Sequence, residues 1–566
     1  MKIKSILLGA AAAVAIAPAA FAGRGDSGHL NIIFWQAASI LNPYLSGGTK
    51  DVFSSSMIVE PLAVYDENGN MVPRLVDEIP TVANGGVSED LKSITWKLKT
   101  GVTWSDGSPL TSADVVFTAN YCMDPAGGCQ QLAKFADVSA VEALDAQTVK
   151  ISFSKAKPFP YSAFVGTSTP ILQAAQFKDC TGAKAPECTT QNFGPIGTGP
   201  FVVTDFKAND VIALKANDTY RDAAKPSFGT VTLKGGGDAA AAARSVLETG
   251  EFDYAWNLQV DPAILKQMEA AGKGTLVSAF GTSVERIMVN FTNPDPALGD
   301  KRGTIEGGAH PFLSDPAVRN ALSMAIDRQT ISDAGYGSAG KPTCNVLPAP
   351  AVYASTANDG CLVQDIAGAN KMLDDAGWAK GSDGIRAKNG VRLSLLYQTS
   401  TNAVRQDTQA LVKQWWNEIG VEVELKNISA SVFFGGDQSS PDTFQKFFAD
   451  VEMYTNNFDG TDPEAYMGGW ACSQIPSPAN NWLGSNMPRF CDPKYDAMVA
   501  EMSVTGDLGK RAELAKAMND MLMQGGAMIP LVHRGNNSAH ANTLAGVKLN
   551  AWDSELWNIA DWTRTN

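Results

Sequence analysis

Between Leu393 and Leu425 the chain reads as a strand, a helix and a second strand in immediate succession. Leu393 to Tyr397 is a short aliphatic and aromatic run. Val404 to Ile419 has the pattern of a helix and stops at Gly420, a residue that readily takes the left-handed conformation that ends one. Val421 to Leu425 follows directly as a strand. A βαβ rhythm of this kind predicts mixed α/β lobes in which helices cover the sheets.

The same pattern recurs along the chain. Helices are expected over Ala239 to Leu247, Pro316 to Ile326 and Ala367 to Ala376, the last closed by Gly377. Strands are expected over His29 to Trp35, Ile94 to Lys99 and Val149 to Phe153. Gly197-Thr198-Gly199-Pro200 reads as a tight turn before the strand Phe201 to Thr204, with Val211 to Leu214 as its hairpin partner. Trp104-Ser105-Asp106-Gly107 reads as a turn, and Thr111-Ser112-Ala113-Asp114 as a capped helix start. No short repeat, low-complexity tract or linker interrupts the 566 residues, enough for three or four domain-sized units.

The first residues set the compartment. Lys2 and Lys4 precede an apolar run from Ile6 to Ala17, and Ala20-Phe21-Ala22 is a small-x-small site, so residues 1–22 are expected to be a signal peptide cut before Gly23. No cysteine follows the cut to take a lipid anchor. No other apolar stretch approaches the ~18 residues a membrane span needs, so the mature chain is expected to be soluble and periplasmic. The net charge of −14 is scattered along the chain and argues against a nucleic-acid partner, whose phosphates it would repel.

Export gives the eight cysteines a meaning, because disulfides persist outside the cytoplasm. They fall into four neighbouring couples: Cys122 with Cys129, Cys180 with Cys188, Cys344 with Cys361, and Cys472 with Cys491. Sequence permits many connectivities; nearest-neighbour pairing is the economical one, since each couple brackets a Gly- or Pro-bearing loop. Metal binding would need C-x-x-C spacing or nearby histidines, and neither occurs, so no metal site is expected.

An enzyme would need reacting groups. The chain lacks G-x-S-x-G, G-x-x-x-x-G-K-[ST] and H-E-x-x-H, and its four histidines, His29, His310, His533 and His540, have no metal-pair spacing. Gly235-Gly236-Gly237 lacks the context of a phosphate cradle and reads as a turn. Asp459-Gly460-Thr461-Asp462 lacks the alternating ligands of a calcium loop. No catalytic residue and no cofactor is expected. Binding has better support: Trp415, Trp416, Trp470 and Trp482 are candidates to line a cleft, although a tryptophan is more often core.

Pro61-Leu62, Pro73-Arg74-Leu75, Trp96-Lys97-Leu98 and Trp104 to Gly107 lead into Leu110 to Phe117. Gly197 to Pro200, Gly250-Glu251-Phe252-Asp253, Val318 to Leu322, Ala325 to Arg328 and Leu373 to Gly377 follow in order. Taken together, from about residue 29 to 562, the chain resembles the large extracytoplasmic solute-binding proteins of the oligopeptide, dipeptide and nickel importers, family 5.

The resemblance implies an α/β, two-lobed periplasmic-binding-protein fold with a hinge and an extra α+β domain inserted in the N-terminal lobe. By analogy lobe one takes 29–60, 193–285 and 527–566, the extra domain 61–192, and lobe two 286–526. It implies a monomer that captures a small organic ligand between its lobes, most simply a peptide, and hands it to an inner-membrane ABC permease. An oligosaccharide, opine or metal chelate is the alternative ligand, and an exported hydrolase the remote alternative function. Asp459, before the Gly460 to Pro463 turn, matches the acid that pairs with a peptide ammonium in relatives, and Tyr454, Thr455, Asn456 and Asn457 match positions that pair with the ligand backbone. Thr455-Asn456 stands where relatives often carry Gly-Trp. Thr49 is expected to face the cleft from lobe one, and Arg405 to meet a ligand carboxylate or lie exposed. Trp470 completes the candidate ligand-binding set.

Overall fold

The computed structural model describes residues 23–435, 437, 439–458 and 460–565. The expected signal peptide and Asp459 lie outside the described residues.

The βαβ unit forms as expected. Ser394–Ser400 and Glu422–Ile428 pair in parallel, and Ala403–Glu418 is the helix between them. Asn402 caps that helix by accepting from the Arg405 amide, and Gly420, at φ +83°, lets the chain turn into the second strand. Val404, Thr408, Val412, Trp415 and Trp416 recur on one face and are buried. Trp415 and Trp416 are therefore core, not cleft: Trp416 is fully enclosed and donates its indole N–H to the Leu322 carbonyl at 2.9 Å. Burying side chains of this size stabilises the lobe by about 1.5–3 kcal/mol each.

These strands belong to a six-stranded sheet in the order Gly340–Pro342, Met528–Arg534, Val284–Val289, Val451–Asn456, Ser394–Ser400, Glu422–Ile428. A second, seven-stranded sheet runs Gly274–Ala279, Asn536–Ala541, Tyr254–Trp256, His29–Phe34, Thr230–Gly235, Val211–Ala216, Phe201–Lys207. Its central strand buries Leu30, Ile32 and Phe34 on one face, while helices Ala239–Leu247 and Pro262–Glu269 cover the other. The expected hairpin is present, with Phe201 opposite Ala216. A three-stranded antiparallel sheet of Ser93–Lys97, Thr148–Phe153 and Val138–Ala143 has its own apolar cluster around Trp96, Trp104 and Tyr121. Helix Ser112–Met123 packs on it, and the Thr111 amide donates to Asp114 at 2.9 Å, half of the capping box expected there. All four cysteine couples are bonded as nearest neighbours.

The chain crosses between the two large sheets twice, at 279–284 and at 534–536. The crossings lie side by side: the Arg534 amide donates to the Ser283 carbonyl, and His533 Nε2 pairs with the Gly281 carbonyl at 2.8 Å. The second crossing corrects the expected boundary near residue 527, since Met528–Arg534 pairs with Val284–Val289 in the six-stranded sheet and only Asn536–Ala541 enters the other. Likewise Val284 and Glu285, expected in lobe one, already belong to the six-stranded sheet. Two strands separated by one glycine carry no sequence mark of which sheet each joins.

Candidate functional site

A cavity of about 280 Å³ lies between the two large sheets and the three-stranded unit. Thr49, at the start of helix Thr49–Ser55, lines one wall with Gln36, Trp256 and Asn257. The strand Val451–Asn456 ends at the opposite wall, and Tyr454, Thr455, Asn456 and Asn457 all line it, as does Trp470. The expected ligand-binding residues that are described thus converge on one space, whereas Trp482 is half-buried against Phe448 outside it.

Arg405 also reaches the cavity wall, but its guanidinium is already engaged. It is 3 % exposed, donates from Nε to Glu285 at 2.8 Å and from Nη2 to the same carboxylate at 3.2 Å, and donates from Nη1 to Ser400 at 2.7 Å. The expectation of an exposed or ligand-directed Arg405 gives way to a buried ion pair. Its cause is Glu285, on strand Val284–Val289, which also accepts from Tyr336 at 3.1 Å and from the Thr455 hydroxyl. Burial would raise the Glu285 carboxyl, but Arg405 holds it below the usual carboxylate range. Thr455 is thereby fixed from behind, with its hydroxyl spoken for.

Behind the wall stands Arg286, a residue sequence patterning had no reason to single out. It is 1 % exposed, and its guanidinium lies 5.5–5.9 Å from the ring centroids of Trp470, Tyr454 and Tyr466. Nη1 donates to the Tyr466 hydroxyl at 2.5 Å, and no described carboxylate lies within ion-pair distance. Burial opposes its charge; the Tyr466 and Tyr454 hydroxyls favour it and prevail. The arginine therefore orients three aromatic side chains that form the cavity surface.

The lobes are bridged across the cavity. Lys157, beside the three-stranded sheet, donates to Glu464 of the opposite side at 2.5 Å and to Asp137 at 3.2 Å. Glu464 is also 3.2 Å from Arg511, which forks onto Asp462 at 2.6 Å. The Gly460 amide donates to the Trp552 carbonyl at 2.6 Å. A Cβ at Gly460 would fall 2.2 Å from the Tyr65 ring, so only glycine fits this seam, and its φ of +76° favours glycine as well.

Two α/β lobes joined by adjacent crossings and enclosing a small cavity define a solute-binding protein of the two-lobed periplasmic type. The family model of the bacterial extracellular solute-binding proteins, family 5 Middle, matches residues 70–482, and the chain belongs to that family. Protein XP55 of Streptomyces lividans is 29% identical over 394 residues, a match spanning 69% of this chain and 65% of that protein, just under two thirds of its length. The glutathione-binding protein GsiB of Shigella boydii is 23% identical over 466 residues, 81% of each chain. The oligopeptide-binding protein AppA of Bacillus subtilis, solved with a nonapeptide, superposes with a TM-score of 0.81 at 22% identity, covering 96% of this chain and all of that one. Among the described residues no helix is long and apolar enough to cross a membrane.

Proposed function

We propose that this chain is the capture component of an ABC-type importer: it is exported with residues 1–22 removed and no lipid anchor, binds a peptide as a monomer, and presents the closed form to an inner-membrane permease. The observation that carries the reading is the cleft between the lobes, one wall of which is the segment from Tyr454 to Asn457, bridged by contacts across it. Its volume suits a small solute rather than a polymer. The names of GsiB and AppA support a peptide as that solute.

In this reading the peptide ammonium pairs with Asp459, and the residues from Tyr454 to Asn457 pair with its backbone. Closure follows from contacts that the ligand makes with both lobes only when they meet.

The test is calorimetry with trialanine, reduced glutathione, maltotriose and the nickel–histidine complex. A peptide should bind, be recovered unaltered, and at ~100 times its Kd stabilise the fold by about 2.7 kcal/mol. Asp459→Asn should lower affinity by two to four decades, corresponding to the roughly 3–5 kcal/mol cost of an unmatched buried cation, and N-acetylating the peptide should then matter far less than in wild type. Binding of the sugar or the chelate alone refutes the peptide, and recovery of an altered ligand refutes a pure binding role.

A further inference from the structure

The charged side chains around the cavity are largely engaged within the protein. Lys50 pairs with Asp51 at 2.9 Å, Arg405 with Glu285 at 2.8 Å, Asp462 with Arg511 at 2.6 Å, and Glu464 with Lys157 at 2.5 Å. Glu555 differs. It lines the cavity from the segment that follows the second crossing, is 1 % exposed, and has no basic group within ion-pair distance among the described residues. Its Oε2 accepts from the Tyr254 hydroxyl at 2.5 Å and from Ser538 Oγ at 2.6 Å, while Oε1 has no hydrogen-bond partner among the described residues.

We infer that Glu555 is a ligand-contacting acid, whose free Oε1 receives a hydrogen-bond donor of the solute and favours a cationic one. Glu555 lines the cavity with this oxygen unpaired, and a bound ammonium would satisfy both its hydrogen bond and its charge. The two hydroxyls on Oε2 fix the carboxyl group, so Oε1 is presented without freedom to turn away. The elements packed around it contribute few charges. Tyr254 comes from strand Tyr254–Trp256, Ser538 from Asn536–Ala541, and Arg534 from the end of Met528–Arg534. Arg534 directs Nη2 to Asn257 at 2.5 Å and Nη1 to Thr455 at 3.3 Å, and its Nε is buried without a partner. Asp553, two residues away, is turned to Thr167 and the Tyr65 amide.

Burial pushes the Glu555 carboxyl up to about 7, although Ser538, Tyr254 and Arg534 all act to lower it. Below that pH the empty site holds a proton, which a cationic donor must displace. Affinity for such a ligand therefore rises with pH up to about 7 and then levels, and binding below it releases a proton.

This inference rests on the peptide reading only for its first probe. Trialanine with one residue replaced by lysine, at each of the three positions, is compared by calorimetry with the norleucine counterparts, which keep the stem and lack the ammonium. At pH 8 at least one lysine peptide should bind roughly 10- to 100-fold tighter than its counterpart, a preference that shrinks at pH 5.5, where lysine is still charged. Glu555→Gln, which can still accept from Tyr254 and Ser538, should abolish the preference. In wild type alone, calorimetry at pH 6 in two buffers of different ionisation enthalpy should register the released proton. Equal binding of lysine and norleucine peptides, or a preference that survives in Glu555→Gln, overturns the inference and leaves the peptide reading standing. If no peptide binds, the peptide reading falls, and putrescine decides the inference. Stabilisation of wild type by putrescine at pH 8, absent at pH 5.5 and in Glu555→Gln, upholds it; no such shift ends it.

Discussion

Lys157 spans the seam between the inserted domain and lobe two, so replacing it with methionine, which keeps much of the stem, should weaken closure without damaging the parts it joins. Its ammonium lies 2.5 Å from Glu464 and 3.2 Å from Asp137, with the side chain 2% exposed. Two unit charges at this separation attract by about 6–7 kcal/mol at an effective dielectric constant of ~20. Taking the ammonium out of water on closing costs several kcal/mol, which offsets most of that attraction. Glu464 also keeps Arg511 at 3.2 Å, so the variant does not leave it unmatched. The net effect expected is about 2 kcal/mol against the closed form, a shift of roughly 30-fold in the closing equilibrium and the same factor in apparent ligand affinity. Small-angle scattering of the ligand-bound protein reads the first quantity and calorimetry the second. A double-mutant cycle with Glu464→Gln should return a coupling energy near 2 kcal/mol. Affinity within about 3-fold of wild type and a coupling energy near zero would refute the assignment of this pair as a closing contact.

Three further outcomes are expected. Arg405→Leu strands the Glu285 carboxylate in a buried site and should cost about 3–5 kcal/mol in urea denaturation; a loss under ~1 kcal/mol contradicts the buried-pair reading. Because the folded Glu555 carboxyl sits at about 7 against 4.5 for the free side chain, the folded state binds its proton more tightly, so its contribution is full below pH 4.5 and is lost as pH rises through 7. That loss is about 3 kcal/mol, and Glu555→Gln should remove this slope from the stability profile between those limits. Replacing Cys472 and Cys491 by serine opens a 19-residue loop and should lower stability by about 3 kcal/mol on the chain-entropy model, read by thermal denaturation without reductant.

Much of the architecture is legible in short stretches of sequence. The helix Ala239–Leu247 ends where Gly250 follows it, and the βαβ unit is framed by Asn402 and Gly420. Such signals are local, because capping and left-handed turns need particular residues at particular positions. The four cysteine couples were equally readable, each closing a loop of 7 to 19 residues. The stretch from Tyr454 to Asn457 was found through likeness to a family, and the cavity gathers it together with Thr49 and Trp470. Glu285, Arg286, Arg534 and Glu555 carry no such mark. In sequence each is an ordinary charged residue, and only the pairing of Val284–Val289 with Met528–Arg534 and Val451–Asn456 buries the first three. The role of Arg405 is hidden for the same reason, since its partner lies 120 residues away.

The order of strands in the seven-stranded sheet bears on how the chain must be made. Asn536–Ala541 lies between Tyr254–Trp256 and Gly274–Ala279, and Trp562 packs against Tyr254. The first half of the polypeptide alone therefore supplies a sheet with a missing member in its interior, its edges exposed and one apolar face uncovered. The six-stranded sheet, drawn wholly from residues between 284 and 534, is complete earlier. Chains truncated after residue 535 should thus carry a protease-resistant second lobe tethered to an unfinished first one. The segment from Asn536 onward, which includes Glu555 of the cavity wall, acts as the closing stitch that makes the N-terminal half native.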